Sequence, residues 1–304
     1  MPIVIDKNLP AYKILSDEKI FVMHDKRANK QDIRPIEIAI VNLMPTKIET
    51  ETQLMRLLGN SPLQVNITLI KMNSYQSKNT SKTHLDQFYK GLDELQDRCF
   101  DGMIITGAPV EQFEYTDVAY WEELEKVMDY ADKKVTSTIF ICWGAQAALH
   151  YYYGIEKIKL DKKLFGIYKY RSSSGTRDML LKGLDDEFDI PMSRHTDVDW
   201  DAVKQCPHIK ILAQNENGPS IIKSKDKKIF LLGHSEYDVM TLDGEYRRDL
   251  EKGIAIDKPV NYYIEGTNKV NCSWRSTANL LFYNWLNYYV YQITPYEIEK
   301  VKSK

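Results

Sequence analysis

Four short apolar, β-branched runs, IEIAIVNL (36–43), QVNITLIK (64–71), FDGMIITG (100–107) and VTSTIFIC (135–142), alternate with stretches of helical spacing. Apolar runs of four to eight residues bounded by turn formers read as buried strands, and apolar residues three and four apart read as one helix face. Thr46 and Glu49 form a T-x-x-E capping pattern ahead of Ile48, Met55 and Leu58. The segment around His84 to Leu95 predicts a second helix, and VAYWEELEKVMDYADKK (118–134) sets Trp121, Leu124, Val127 and Met128 on one face of a third. A fourth follows at GAQAALHYYYG (144–154). Parallel neighbours require a crossover, usually a helix, so this alternation dictates a mostly parallel sheet with helices on both faces.

The second half of the chain is less regular. Short strands are expected at HIKILA (208–213), PSII (219–222) and KIFLLG (228–233), with helices near 243–252 and 275–290. With no repeat and no Gly/Ser- or Pro-rich linker, residues 1–34 read as an N-terminal extension and 35–304 as a single α/β domain of the flavodoxin-like, doubly wound kind.

Charge and composition exclude several classes of function. Forty-one Lys and Arg face 43 Asp and Glu, a net charge of −2, so there is no basic excess to neutralise a phosphate backbone and nucleic acid is not expected as a partner. The longest strongly apolar stretch, Thr138 to Leu149, is a dozen residues where a membrane-spanning helix needs about 20. Pro2, Asp6 and Lys7 interrupt what would be the apolar region of a signal peptide, so the expected location is the cytoplasm. Cys99, Cys142, Cys206 and Cys272 are scattered without C-x-x-C spacing, which fits neither a disulfide framework nor a metal cluster.

Open α/β sheets bind ligands beyond the carboxyl ends of their strands. Three such ends carry notable residues: TGAPVE (106–111), Cys142-Trp143-Gly144 and Gly233-His234-Ser235-Glu236. Cys142 ends an apolar strand and opens a turn into a small-residue helix, the setting of a nucleophile elbow; the helix N-terminus favours thiolate and the turn amides can face an oxyanion. Most buried cysteines are inert packing, so position alone does not decide the matter. His234 adds a base and acid, and Glu236 a group to hold its tautomer. In an extended H-x-E segment the two side chains leave the same face and can converge.

The order Cys…His-x-Glu on an α/β sheet resembles the class I glutamine amidotransferase fold. TGAPVE (106–111), FICWGAQAALHYYYGI (140–155), KLFGIY (163–168), SRHT (193–196), GHSEYD (233–238), NLLFYNWLNYYVYQ (279–292) and NLMPTKIETETQLMRLLGNSPLQV (42–65) together resemble the homoserine O-acyltransferases of methionine biosynthesis, over nearly the whole chain. The resemblance implies transfer of an acyl group from acyl-CoA to the γ-hydroxyl of L-homoserine, with Cys142 as nucleophile, His234 as proton acceptor and Glu236 supporting it. It implies Lys163, Ser193 and Arg248 as substrate-binding residues and acyl-CoA as co-substrate, with no separate cofactor or metal. Glu at position 111 resembles acetyl users and Gly succinyl users, so acetyl-CoA is the expected donor.

The residues themselves support parts of this. Arg248 offers a planar fork for the homoserine carboxylate, and a Glu111 carboxylate at a pocket wall would repel the distal carboxylate of succinyl-CoA. Lys163 also lies in a lysine-rich run, 157–169, that could be a solvated face, Arg248 could be an ordinary surface pair, and Glu111 a plain loop glutamate. A glutamine amidotransferase or cysteine hydrolase and a non-catalytic binding module are the competing readings. The aromatic segment LLFYNWLNYYVYQITPY (280–296) reads as core or as a homodimer contact.

Overall fold

In the structure, a computed structural model, residues 3–18, 22–23, 34–75, 77, 79–173 and 178–300 are described. Twelve strands among them form one sheet: β1 (Ile3–Val4), β2 (Val22–Met23), β3 (Ile36–Val41), β4 (Val65–Ile70), β5 (Tyr89–Lys90), β6 (Phe100–Ile105), β7 (Val135–Ile141), β8 (Lys157–Ser172), β9 (Glu187–Val198), β10 (Ile209–Asn215), β11 (Gly218–Ser224) and β12 (Lys228–Leu231). The order is β2-β1-β4-β3-β6-β7-β12-β11-β10-β8-β9, with β5 paired to β4. Every pairing from β2 to β12 is parallel, and from β12 to β9 every pairing is antiparallel.

The helices are α1 (Pro10–Asp17), α2 (Lys47–Gly59), α3 (Lys82–Phe88), α4 (Trp121–Lys134), α5 (Trp143–Tyr153), α6 (Trp200–Gln205), α7 (Thr241–Glu251) and α8 (Arg275–Asn284). The side-chain period of two splits each central strand between two cores. Ile38, Ile40, Ile104, Ile139 and Ile141 join Leu54 and Leu58 of α2 and Leu281 and Phe282 of α8 on one side. Ala39, Val41, Met103, Ile105 and Phe140 join Leu124, Val127 and Met128 of α4 and Ala145, Ala148 and Leu149 of α5 on the other. This is the doubly wound α/β sandwich that the alternation predicts.

Several local expectations change. Thr46 precedes α2 but makes no side-chain cap, because its backbone (φ −92°, ψ 67°) leaves the extended region in which an N-cap hydroxyl meets the first amides. The expected helix over 84–95 stops at Phe88: Tyr89 and Lys90 pair with Leu69 and Ile70, and only a tight turn at Leu92–Leu95 follows Gly91. The helix expected at 275–290 is regular to Asn284 and then widens to π-type turns over Trp285–Tyr291.

The larger difference is the pair of long antiparallel strands β8 and β9. The lysines of 157–169 belong to an edge ribbon, partly exposed over 157–162, half-buried at Lys163 and Leu164 and buried from Phe165 to Ile167. At the other edge, Ile3–Val4 pairs with Val65–Asn66, and Leu9, Ala11 and Leu15 enter the core beneath α2. Residues 24–33 lie outside the described residues.

Candidate active site

The carboxyl ends of β6, β7 and β12 meet at one point, and Cys142 stands there. Its backbone has φ 50° and ψ −118°, a strained left-handed conformation for a residue with a Cβ. Backbone bonds hold it: its amide donates to Leu231 O (2.7 Å) on β12, and its carbonyl accepts from Ala145 N (3.0 Å) and Gln146 N (3.1 Å) at the start of α5. Gly144 makes the turn possible, since a Cβ there would lie 2.6 Å from Thr106 O and 3.1 Å from Ile105 O. The small residues after the cysteine thus let α5 start hard against the sheet, and the helix N-terminus faces the thiol.

His234 follows β12 and is 3% exposed. Its Nδ1 lies 2.8 Å from Glu236 Oε1, and its ring also interacts with the Cys142 side chain. Burial alone would push the imidazole down, but the Cys142 sulfur and the Glu236 carboxylate outweigh it and hold His234 well above its ordinary value. The segment is a turn rather than the extended H-x-E expected, with Tyr237 N donating to His234 O (3.2 Å). That turn also lays the Tyr237 ring on the imidazole, centroids 4.1 Å apart and 18° from parallel. Glu236 Oε2 is buried and has no hydrogen-bond partner among the described residues. An open cavity of about 820 Å³ borders the outer side of this turn, between Glu236, Gln53, Arg56 and Arg275.

A second polar cluster adjoins the first through Tyr237. Its hydroxyl donates to Glu245 Oε1 (2.7 Å) on α7, and Glu245 Oε2 accepts from Ser193 Oγ and lies 3.7 Å from Lys163 Nζ. Lys163 also lies 3.5 Å from Asp249 Oδ2 and sits over the Phe165 ring. Lys163 and Ser193 are therefore brought together on neighbouring positions of β8 and β9, not left on a solvated face. Arg248 is placed differently: its guanidinium is half exposed and bonds Asp249 Oδ1 (2.8 and 2.9 Å) instead of Glu245. Burial pushes the Asp249 carboxyl up, but Arg248 and Lys163 together hold it below the usual range. Glu245 and Tyr237 join the cluster without having been singled out in the sequence. Their only signal is position, since GHSEYD and EYRRD place them three residues from His234 and Arg248.

Glu111, in the loop after β6, reaches across to β9. Its Oε2 accepts from His195 N (3.0 Å) and lies 3.3 Å from Thr196 Oγ1. Thr196 is locked to α5 by a two-way pair with Gln146, Oγ1 to Oε1 at 2.8 Å and Nε2 to the Thr196 carbonyl at 3.0 Å. Glu111 is thus a held group beside the nucleophile helix.

The family model for homoserine O-succinyltransferase matches residues 2–296. The chain belongs to this family. Relatives of known name match nearly the whole chain. One is the homoserine O-acetyltransferase of Clostridium novyi (strain NT), 55% identical over 302 residues, 98% of this chain and 99% of that one. The homoserine O-acetyltransferase of Bacillus subtilis (strain 168) is 50% identical over 300 residues, with 98% and 99% covered. Among solved structures, a glutamine amidotransferase from Thermotoga maritima superposes with a TM-score of 0.55 at 11% identity, covering 84% of this chain and 98% of its own. Another, from Methylobacillus flagellatus, gives 0.54 at 13%, with 84% and 95% covered. At such identities the likeness is one of fold, and this member of the homoserine O-succinyltransferase family has the class I glutamine amidotransferase-like α/β architecture its sequence implies.

Proposed function

We propose that the protein is a homoserine O-acetyltransferase of methionine biosynthesis that works through an acyl-enzyme on Cys142. The observation that carries this is the strained Cys142 elbow in contact with a buried His234–Glu236 pair, one aromatic ring away from a cluster of two cations and two carboxylates. End-to-end similarity to proteins named homoserine O-acetyltransferase supports the substrate and the donor.

In the first half-reaction Cys142 Sγ attacks the thioester carbon of acetyl-CoA. The carbon–sulfur bond to CoA breaks, the negative charge on the carbonyl oxygen is met by turn amides after Cys142 and after Gly107, and CoA leaves with a proton available from His234. One thioester replaces another, so the step is nearly isoenergetic. In the second, the homoserine hydroxyl attacks the Cys142 thioester while His234 Nε2 takes its proton, and Sγ departs to rejoin the imidazolium. Homoserine is a zwitterion, and Glu245 and Asp249 offer its ammonium an acceptor while Lys163 and Arg248 offer its carboxylate a cation, with Ser193 as a further hydrogen-bonding group.

Glu111 favours acetyl over succinyl because a held carboxylate near the acyl pocket repels a second one. Succinyl transfer, the activity in the family model's description, is the alternative donor choice. The reading places the enzyme in the cytoplasm and as a homodimer, to which exposed Tyr291, Ile293 and Tyr296 at the chain's end offer apolar surface. Homoserine-dependent release of CoA, measured with each donor, tests the assignment. Turnover with acetyl-CoA at least tenfold above that with succinyl-CoA supports it, and continued CoA release without homoserine, beyond the single equivalent that acylation of Cys142 sets free, overturns it in favour of a hydrolase.

A further inference from the structure

Thr106 is 2% exposed at the end of β6 and makes contacts to three separate parts of the site. Its amide donates to Val41 O (3.1 Å), continuing the ladder to β3. Its side chain is satisfied in both senses: Oγ1 accepts from Leu43 N (2.8 Å) and donates to Gly107 O (3.1 Å). Its carbonyl is the wall against which Gly144 packs at the nucleophile elbow. The next residue, Gly107, lies directly on the chemistry, since a Cβ built there would be 3.2 Å from Cys142 Cβ and 3.6 Å from His234 Cε1.

A side-chain bond to the carbonyl of the following residue is an uncommon use of a threonine, and its geometric consequence is specific. The peptide from Gly107 to Ala108 is trans and planar, so its C=O and N–H point to opposite sides. With the carbonyl tied back to Thr106 Oγ1, the Ala108 N–H is turned away from Thr106. Valine in place of Thr106 would fill the same volume but leave the Leu43 amide buried without an acceptor and the Gly107 peptide free to rotate.

We infer that Thr106 is a positioning residue for acyl transfer: its hydroxyl fixes the Gly107–Ala108 peptide so that the Ala108 N–H faces the oxyanion formed on the Cys142-bound carbonyl carbon. The inference rests on the acyl-enzyme reading. It adds a hydroxyl that touches neither substrate nor nucleophile and acts only through the peptide it holds.

An oxyanion donor matters only where charge develops on a carbonyl oxygen, and this separates the role from a merely structural one. Acetylation of Cys142 by acetyl-CoA passes through an oxyanion, whereas its alkylation by iodoacetamide is a displacement at carbon that forms none. For Thr106→Val we expect the single-turnover acetylation rate to fall by roughly 10- to 100-fold while the alkylation rate stays within about twofold of the parent, and for Thr106→Ser we expect acetylation within about threefold. Should the valine variant not fold, Thr106→Ala against Thr106→Ser, differing by the hydroxyl alone, makes the same comparison. Acetylation unchanged without the hydroxyl, or acetylation and alkylation falling together, overturns the inference. Failure of the parent protein to acetylate at all would instead overturn the acyl-enzyme reading beneath it.

Discussion

His234 Nδ1 lies 2.8 Å from Glu236 Oε1, and less than a tenth of either side chain is exposed. In so dry a setting the carboxylate fixes which ring nitrogen carries the proton, leaving Nε2 for Cys142 and then for the homoserine hydroxyl. Glu236→Gln keeps the shape and removes the charge. Because Glu236 helps hold the imidazole above its ordinary value, the variant's imidazole titrates lower and is a weaker base. Attack of homoserine on preformed acyl-enzyme should slow by roughly 10²- to 10⁴-fold, with the acid limb of its pH profile moved to lower pH. Stopped-flow deacylation across pH 5–9 measures both, and an unmoved limb contradicts the role given to Glu236.

Gly144 sets two magnitudes against each other. On helix propensity alone, Gly144→Ala would stabilise α5 by up to about 1 kcal/mol. The added methyl, however, would lie 2.6 Å from one backbone oxygen and 3.1 Å from another, and neither belongs to a flexible side chain that can move aside. Overpacking of that kind costs about 1–3 kcal/mol. We expect a lower thermal midpoint by calorimetry and slower Cys142 acetylation, since the elbow itself must shift.

Glu111 is anchored to the His195 amide, which fixes its charge in place; the proposed reading sets that charge against a second carboxylate on the acyl group. Glu111→Gly removes the repulsion and opens space. The ratio of kcat/KM for acetyl-CoA over succinyl-CoA should fall by at least about tenfold, about 1.4 kcal/mol of discrimination. An unchanged ratio refutes the assignment of donor choice to this residue.

Lys47 opens α2 at the carboxyl end of β3, 7% exposed, with Nζ bonded to the carbonyls of Asn42 and Met44. Burial lowers its ammonium to about 8 despite the nearby Glu51 carboxylate. In the unfolded chain a lysine titrates near 10.4, so between about pH 8 and pH 10 the unfolded state binds more protons and stability rises with pH. Compared with Lys47→Met in urea titrations, the parent should gain about 2 kcal/mol between pH 7 and pH 10. A flat difference over that range contradicts the perturbed ammonium.

The central parallel strands were legible because β3, β6 and β7 are largely buried on both faces and read as short, mainly apolar runs; Ile36–Val41 and Val135–Ile141 lie within the predicted segments. The ribbon of β8 and β9 was not, because a strand carrying Lys157, Lys159, Lys162 and Lys163 has neither a continuous apolar run nor clean alternation. Tyr89 lies in a segment whose spacing reads as helix, because local spacing cannot register the two-residue pairing of Tyr89 and Lys90 with Leu69 and Ile70. Cys142, His234 and Glu236 were visible because strand ends of an open α/β sheet are where chemistry collects. Glu245 was hidden because it meets Ser193 and Lys163 only through the packing of α7 on that unread ribbon.

The central claim is a covalent acetyl group on Cys142. Intact-mass spectrometry of the protein mixed with acetyl-CoA or with succinyl-CoA, in the absence of homoserine, followed by peptide mapping, measures it directly. The account predicts one acetyl adduct on the peptide containing Cys142, its loss when homoserine is added, and none in Cys142→Ala. A protein that turns over homoserine and acetyl-CoA while forming no adduct, or a Cys142→Ala variant that keeps substantial transfer, would contradict it.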